Sequence, residues 1–193
     1  NSEAGGAREL GLRIYTPDRG PFPKPVLVFF HGGGWCIGSA QTHEPFCMHV
    51  ADKTNMVVVS VDYRLSPEYR FPLPAEDAID AWQWLHANVA ELAGRQDRML
   101  VAGDSAGGNL AAVVCQQALL RGYPAPAGQV LIYPATDLRR CHESHEEMGR
   151  GYVLTADLMD WFVQGYLGDM ENARLPLASP LLAMPENLRG LAP

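Results

Sequence analysis

The sequence predicts an α/β fold, a mostly parallel sheet with flanking helices, and three observations predict it. Four apolar runs, at 26–30, 56–61, 98–102 and 129–133, have the length and composition of strands. Helix-length stretches separate them, the rhythm that yields parallel strands joined by right-handed crossovers. Two of the runs end in glycine clusters, and in such sheets the chemistry gathers at the carboxyl ends of the strands.

Each element has its own local reason. Residues 10–15 alternate apolar and polar side chains, a strand, and then meet Pro17, Pro21, Pro23 and Pro25, a stiff connection. The run 26–30, VLVFF, is apolar throughout. After Gly38 and Ser39 a helix is expected over 42–55, with Pro45 in its first turn. The run 56–61, MVVVSV, is the next buried strand. Proline and charge over 62–74 argue against regular structure, and a helix follows over 75–92 with Glu76, Asp77 and Asp80 at its positive end. Ile79, Trp82 and Leu85 share one face of it, and both Trp82 and Trp84 are expected to pack. A strand at 98–102, a helix at 109–120 ended by Arg121-Gly122, and a strand at 129–133 stopped by Pro134 complete the rhythm. Beyond Asp137 the pattern loosens. Residues 155–167 form an amphipathic helix capped by Thr155, with Leu158, Trp161, Phe162 and Tyr166 as its apolar residues. It stands outside the strand–helix rhythm and is read as a helix laid over the site, with a plain packing helix as the alternative.

Composition excludes several classes. The 193 residues suffice for one domain, and 47% hydrophobic with 19% charged residues fits a globular chain rather than a disordered one. A net charge of -7 argues against a nucleic-acid or anionic-membrane surface. No apolar run approaches the roughly 20 residues of a membrane span, and the chain, which opens Asn1-Ser2, has no secretory leader pattern. Cys36, Cys47, Cys115 and Cys141 stand far apart without a C-x-x-C pair; a reducing, cytoplasmic setting without disulfides is expected.

The chemistry is carried by two glycine motifs. At 103–107, GDSAG, an apolar run turns at once into a helical pattern, so Ser105 stands at the tip with its hydroxyl above the sheet. A Cβ at Gly103 or Gly107 would collide across the strand–helix crossing. By chance about one chain in twenty of this length carries G-x-S-x-G, so the pentapeptide alone is weak. The second motif strengthens it. At 31–35, HGGGW, three glycines at a strand end leave backbone N–H groups free to hold a developing oxyanion. A dinucleotide reading fails, because neither cluster fits G-x-G-x-x-G; with Lys24 and Lys53 as the lysines, no P-loop is present either.

Together, HGGGW at 31–35, DYRLSPE at 62–68, GDSAGGNLAA at 103–112, LIYPATD at 131–137 and SPLLA at 179–183 resemble the hormone-sensitive-lipase family of α/β-hydrolases, which includes many bacterial carboxylesterases. Ser66 and Pro74 are mild departures. The resemblance implies that Ser105 is the nucleophile and that the N–H groups of Gly33, Gly34 and Ala106 form the oxyanion hole. His31 is read as a brace for the glycine loop, and Asp104 as a hydrogen-bonding partner for nearby loops. In that family an Asp and a His follow on two further strand ends. Here the sequence reaches Pro193 where the first of those strands should begin, so residues 1–193 read as the central part of a single α/β-hydrolase domain, truncated before the last strands, with a cap element around 150–170. The absent strands should leave an apolar sheet edge open to a homodimer or another chain.

Substitutes for the acid and base are weak. Asp137, His142 and His145 follow Ser105 in the hydrolase order of nucleophile, acid and base, but only a short loop joins them, and 141–145 is read as solvated loop. The HESH stretch at 142–145 is one residue short of H-E-x-x-H, so no metal site is expected. His43, His49 and His86 are read as structural helix residues. The expected activity is cofactor-free hydrolysis of short- to medium-chain carboxylic esters, with Trp35, Trp161 and Phe162 as candidate pocket residues; the rival is a ligand-binding protein on the same scaffold.

Overall fold

A computed structural model describes residues 9–191; residues 1–8, including the opening Asn1-Ser2, and residues 192–193 lie outside the described residues. Five strands, β1 (Gly11–Tyr15), β2 (Lys24–Phe30), β3 (Val57–Asp62), β4 (Gly94–Asp104) and β5 (Gln129–Ile132), form one sheet in the order β1-β3-β2-β4-β5. The four apolar strands run parallel, and β1 lies antiparallel along β3. The helices are α1 (Glu44–Thr54), α2 (Leu73–Asn88), α3 (Ala106–Leu120), a single turn α4 (Ser144–Glu147), and α5 (Ala156–Leu167).

Strand alternation divides the core between two faces. Val26, Val28 and Phe30 point to the α2 and α3 side, where Ile79, Trp82, Leu85 and Leu110 are buried with them. Leu27 and Phe29 point the other way, onto Cys47 and Ala51 of α1. Fully burying such a side chain contributes about 1.5–3 kcal/mol, so these two layers hold the sheet. Trp82 is buried, its indole N–H donating to the Pro124 carbonyl at 2.8 Å. Trp84, expected to pack, is 50% exposed, because two positions along a helix is about 200° of rotation.

The winding positions the site. From β2 the chain steps outward to β3, then crosses back to place β4 on the other flank of β2. Connections diverge there and leave a crevice at the carboxyl ends of β2 and β4. Both glycine motifs sit at that crevice. Element ends differ modestly from expectation: α2 starts at Leu73 and closes in a 3-10 turn over Val89–Leu92, and β4 begins at Gly94, where pairing with Lys24 extends it.

Candidate active site

Between the last residue of β4 and the first of α3 stands Ser105 alone, at φ 54° and ψ -116°. A non-glycine residue in such a region carries about 1–3 kcal/mol of strain and persists only where its surroundings hold it. Here they do. The Ser105 N–H donates to the Ile132 carbonyl at 2.9 Å, and its own carbonyl accepts from the N–H groups of Asn109 and Ala135. A Cβ on Gly107 would lie 1.9 Å from the Phe30 carbonyl oxygen, and one on Gly103 would lie 2.3 Å from the Gly107 carbonyl. Both glycines are therefore required by the crossing, as the sequence implied.

The HGGGW loop follows β2 directly. Phe30 pairs with Gly103 in the sheet, so the loop leaves β2 beside the turn that carries Ser105. Gly33 (φ 126°) and Gly34 (φ 58°) adopt left-handed backbone; a Cβ would meet the Ile37 carbonyl oxygen at 2.0 Å in the first case and the Phe162 ring at 2.2 Å in the second. His31 is fully buried, its Nδ1 lies 2.8 Å from the Gly32 carbonyl, and its ring stacks on Tyr63, whose hydroxyl donates to the His31 carbonyl. Burial lowers the His31 pKa and keeps the ring neutral. It braces the loop. Asp104 accepts from the Gly32 N–H at 2.8 Å and faces His43 Nε2 at 3.4 Å. His43 is the residue that precedes α1 rather than a plain helix residue.

Ser105, Gly33 and Gly34 line one cavity of about 430 Å³. Ala106 is fully buried at the start of α3 and is not among the lining residues. Of the aromatic candidates, Trp35 and Phe162 line the cavity; Trp161 does not and is 56% exposed, on the solvent side of α5. Leu158, Met159 and Val163 of α5 form part of the lining, with Val153 and Leu154 before them.

The stretch read as solvated loop is exposed over 141–144, and two of its residues also form cavity wall. His142 is exposed, yet it and His145 line the same space as Ser105, as does Asp137. The Asp137 carboxylate is gripped by Arg139 through Nε and one terminal nitrogen, a fork that holds its pKa down at about 2. His142 Nε2 stands 3.4 Å from it. Ligand atoms of Asp137, Cys141 and His142 come within 4.8 Å of one another. Arg139 already hydrogen-bonds both carboxylate oxygens, so an ion there would share them with the guanidinium.

Sequence reasoning missed what carries this wall. The buried Asn109 amide donates to the carbonyls of Ala135 and Ala178, Gln116 donates to that of Pro180, and the Ser179 hydroxyl bridges Leu138 N–H and the Ala173 carbonyl. Asn109 within GDSAGGN was the available signal: an amide in the apolar first turns of a helix needs partners.

Comparison with known proteins agrees with this geometry. The alpha/beta hydrolase fold family matches residues 27–193. The chain is 43% identical over 195 residues to the carboxylic ester hydrolase LipN of Mycobacterium tuberculosis, covering 98% of this chain and 51% of that protein. An alpha/beta hydrolase enzyme from the metagenome of Lake Arreo superposes with a TM-score of 0.92 at 41% identity, over 98% of this chain and 60% of that one. The Pyrobaculum calidifontis esterase does so with a TM-score of 0.89 at 43% identity, over 95% and 60%. The chain thus spans about half the length of LipN and three fifths of these two structures. Among the described residues no helix is long and apolar enough to cross a membrane. With its mostly parallel sheet, its serine on a strained strand–helix turn and its glycine loop alongside, the chain belongs to the α/β-hydrolase fold family, as its likeness to the hormone-sensitive-lipase group implied.

Proposed function

We propose that this chain is the nucleophile-bearing part of a serine carboxylesterase for short- to medium-chain carboxylic esters. One observation carries the reading: Ser105, at φ 54° on the turn between β4 and α3, opens onto the same cavity as Gly33 and Gly34. Ser105 Oγ attacks the ester carbonyl carbon and gives its proton to a histidine base. The N–H groups of Gly33, Gly34 and Ala106 hold the tetrahedral oxyanion, the alcohol leaves with the proton, and water then hydrolyses the acyl-enzyme. The acid and base belong to segments beyond Pro193, as in the family resemblance. Without that base, turnover should fall by on the order of 10⁴- to 10⁶-fold.

Residues 150–170, with α5, serve as the cap element, since Leu158, Met159 and Phe162 bound the cavity and limit the acyl chain. Among the described residues the outer edge of β5 carries no further strand, and Val130 there is 49% exposed; this edge is where a second chain or further strands would pair. A cytoplasmic location is supported by four free cysteines.

A fluorophosphonate probe tests the reading in the full-length protein. Labelling that maps to Ser105 and disappears in Ser105→Ala supports it. Tight binding of an ester analogue without labelling supports instead a ligand-binding protein on the hydrolase scaffold. Esterase turnover of ordinary magnitude by residues 1–193 alone would overturn the assignment of acid and base.

A further inference from the structure

One carboxylate joins the two halves of the candidate site, and no step of the proposed reaction passes through it. Asp104 is the covalent neighbour of Ser105, and Gly32 is that of Gly33. The Gly32 N–H donates to Asp104 Oδ1 at 2.8 Å, so a single hydrogen bond links the backbone beside the nucleophile to the backbone beside the loop amides. The fit is close. A Cβ on Gly32 would lie 2.1 Å from Asp104 Oδ2, so the carboxylate fills the space a side chain would need.

The same Oδ1 faces His43 Nε2 at 3.4 Å, both side chains being largely shielded, at 16% and 25% exposure. His43 is itself held in place. Thr42 Oγ1 lies 3.0 Å from its Nδ1, Thr42 and Ser39 hydrogen-bond each other, and the ring packs at a tilt against Phe29 and His31.

We propose that His43 and Asp104 form a charge-paired strut that fixes the glycine loop at its distance from Ser105, with His43 a positioning residue acting through the carboxylate. A shielded carboxylate without a counter-charge is driven to protonate or to turn toward water. Either change weakens its hold on the Gly32 N–H and lets Gly33 and Gly34 drift; a misplacement of 1 Å can cost about 10²-fold in rate.

The surroundings favour the charged pair. The Asp104 carboxylate 3.4 Å away lifts the His43 pKa against the effect of burial; burial acts to raise that of Asp104, but the facing His43 and the Gly32 N–H bring it down. Other titratable groups around His43 are His31 after β2, kept neutral by burial, with Tyr63 stacked behind it; Asp62 at the end of β3, whose Oδ1 accepts from the Ala40 N–H; and Glu44 and Cys47 on α1. Because the folded-state pKa of His43 is raised, the pair holds at lower pH and is lost as pH rises through that value.

Nuclear magnetic resonance of the full-length protein tests the strut without requiring turnover. His43 should titrate above the ordinary value of about 6.5, and the Gly32 amide proton should shift with the same midpoint. In Asp104→Asn the His43 midpoint should fall to about 6.5 or below and the Gly32 response should vanish. His43→Ala should speed amide exchange at Gly32, Gly33 and Gly34 about tenfold with unchanged circular dichroism, and His43→Gln, which keeps one donor, should recover part of the protection. A Gly32 shift that stays flat through the His43 titration, or wild-type exchange in His43→Ala, would overturn the proposal.

The consequence for catalysis rests on the esterase reading. In His43→Ala, kcat for p-nitrophenyl acetate should drop about tenfold with KM held, and His43→Gln should restore part of it. Wild-type kcat in His43→Ala would refute the catalytic consequence. If the wild-type protein neither turns over esters nor takes up phosphonate, the esterase reading fails, while the resonance measurements still decide whether the strut exists.

Discussion

The floor of the cavity, from the loop after β2 to the turn before α3, and its wall, residues 137–154 with α5, face each other across one space. The floor is crowded: a Cβ added at Gly32, Gly33, Gly34, Gly103 or Gly107 would fall within 2.3 Å of another atom. In the wall, a Cβ on Gly149 would lie 2.5 Å from the His145 carbonyl oxygen, but one on Gly151 would meet nothing within 4 Å, and Val153 is 99% exposed. Two close-packed strand ends leave one way to build the floor; a loop held by a few side-chain bonds tolerates many sequences. Chemistry that needs sub-ångström placement belongs on the first kind of surface, and selection among substrates on the second.

The contrast can be broken from the floor first. Gly107→Ala drives a methyl into the Phe30 carbonyl and should cost about 3 kcal/mol or more, read from urea unfolding. A cost under about 1 kcal/mol would mean that the crossing relaxes and the floor is not rigid. Asn109→Ala, where floor meets wall, strips the donor from the carbonyls of Ala135 and Ala178 and should cost about 2 kcal/mol. Hydrogen exchange should then rise in residues 173–183 and not in β2.

In the wall itself the test is pH. Arg139 holds the Asp137 carboxyl below its ordinary 3.8, at about 2, so the pair's contribution to stability is present above the higher value and is lost as pH falls through the lower one. The gap in urea midpoint between wild type and Asp137→Asn should therefore close as the pH approaches about 2. A gap that persists at that acidity would remove Arg139 as its cause. Smallest of all, Val153→Ser should change stability by no more than about 0.5 kcal/mol, because the side chain is wholly solvated. A larger loss would show that the wall packs more firmly than its exposure indicates.

What could be read before folding follows the same division. Four strands, the helices between them and the elbow at Ser105 were legible because each is written locally: an apolar run, a cap, glycines at a turn. Trp84, Trp161, His43 and the 141–145 stretch were not, for their environments come from distant segments. Helical spacing says which residues share a face, but not whether anything covers that face, and so two tryptophans expected to be covered stand in solvent.

Local pattern, then, was enough for the class of fold, for a strained serine at one strand end and for a glycine loop at another, since steric demands on a tight turn do not depend on the rest of the chain. The bond from Gly32 to Asp104, 72 residues apart, the partnership of that carboxylate with His43, and the wall that Asn109, Gln116 and Ser179 hold over the cavity arose only when β2 and β4 were laid side by side. A hydrogen bond has a reach of about 3 Å and no memory of sequence distance, so such contacts exist only once packing has chosen neighbours.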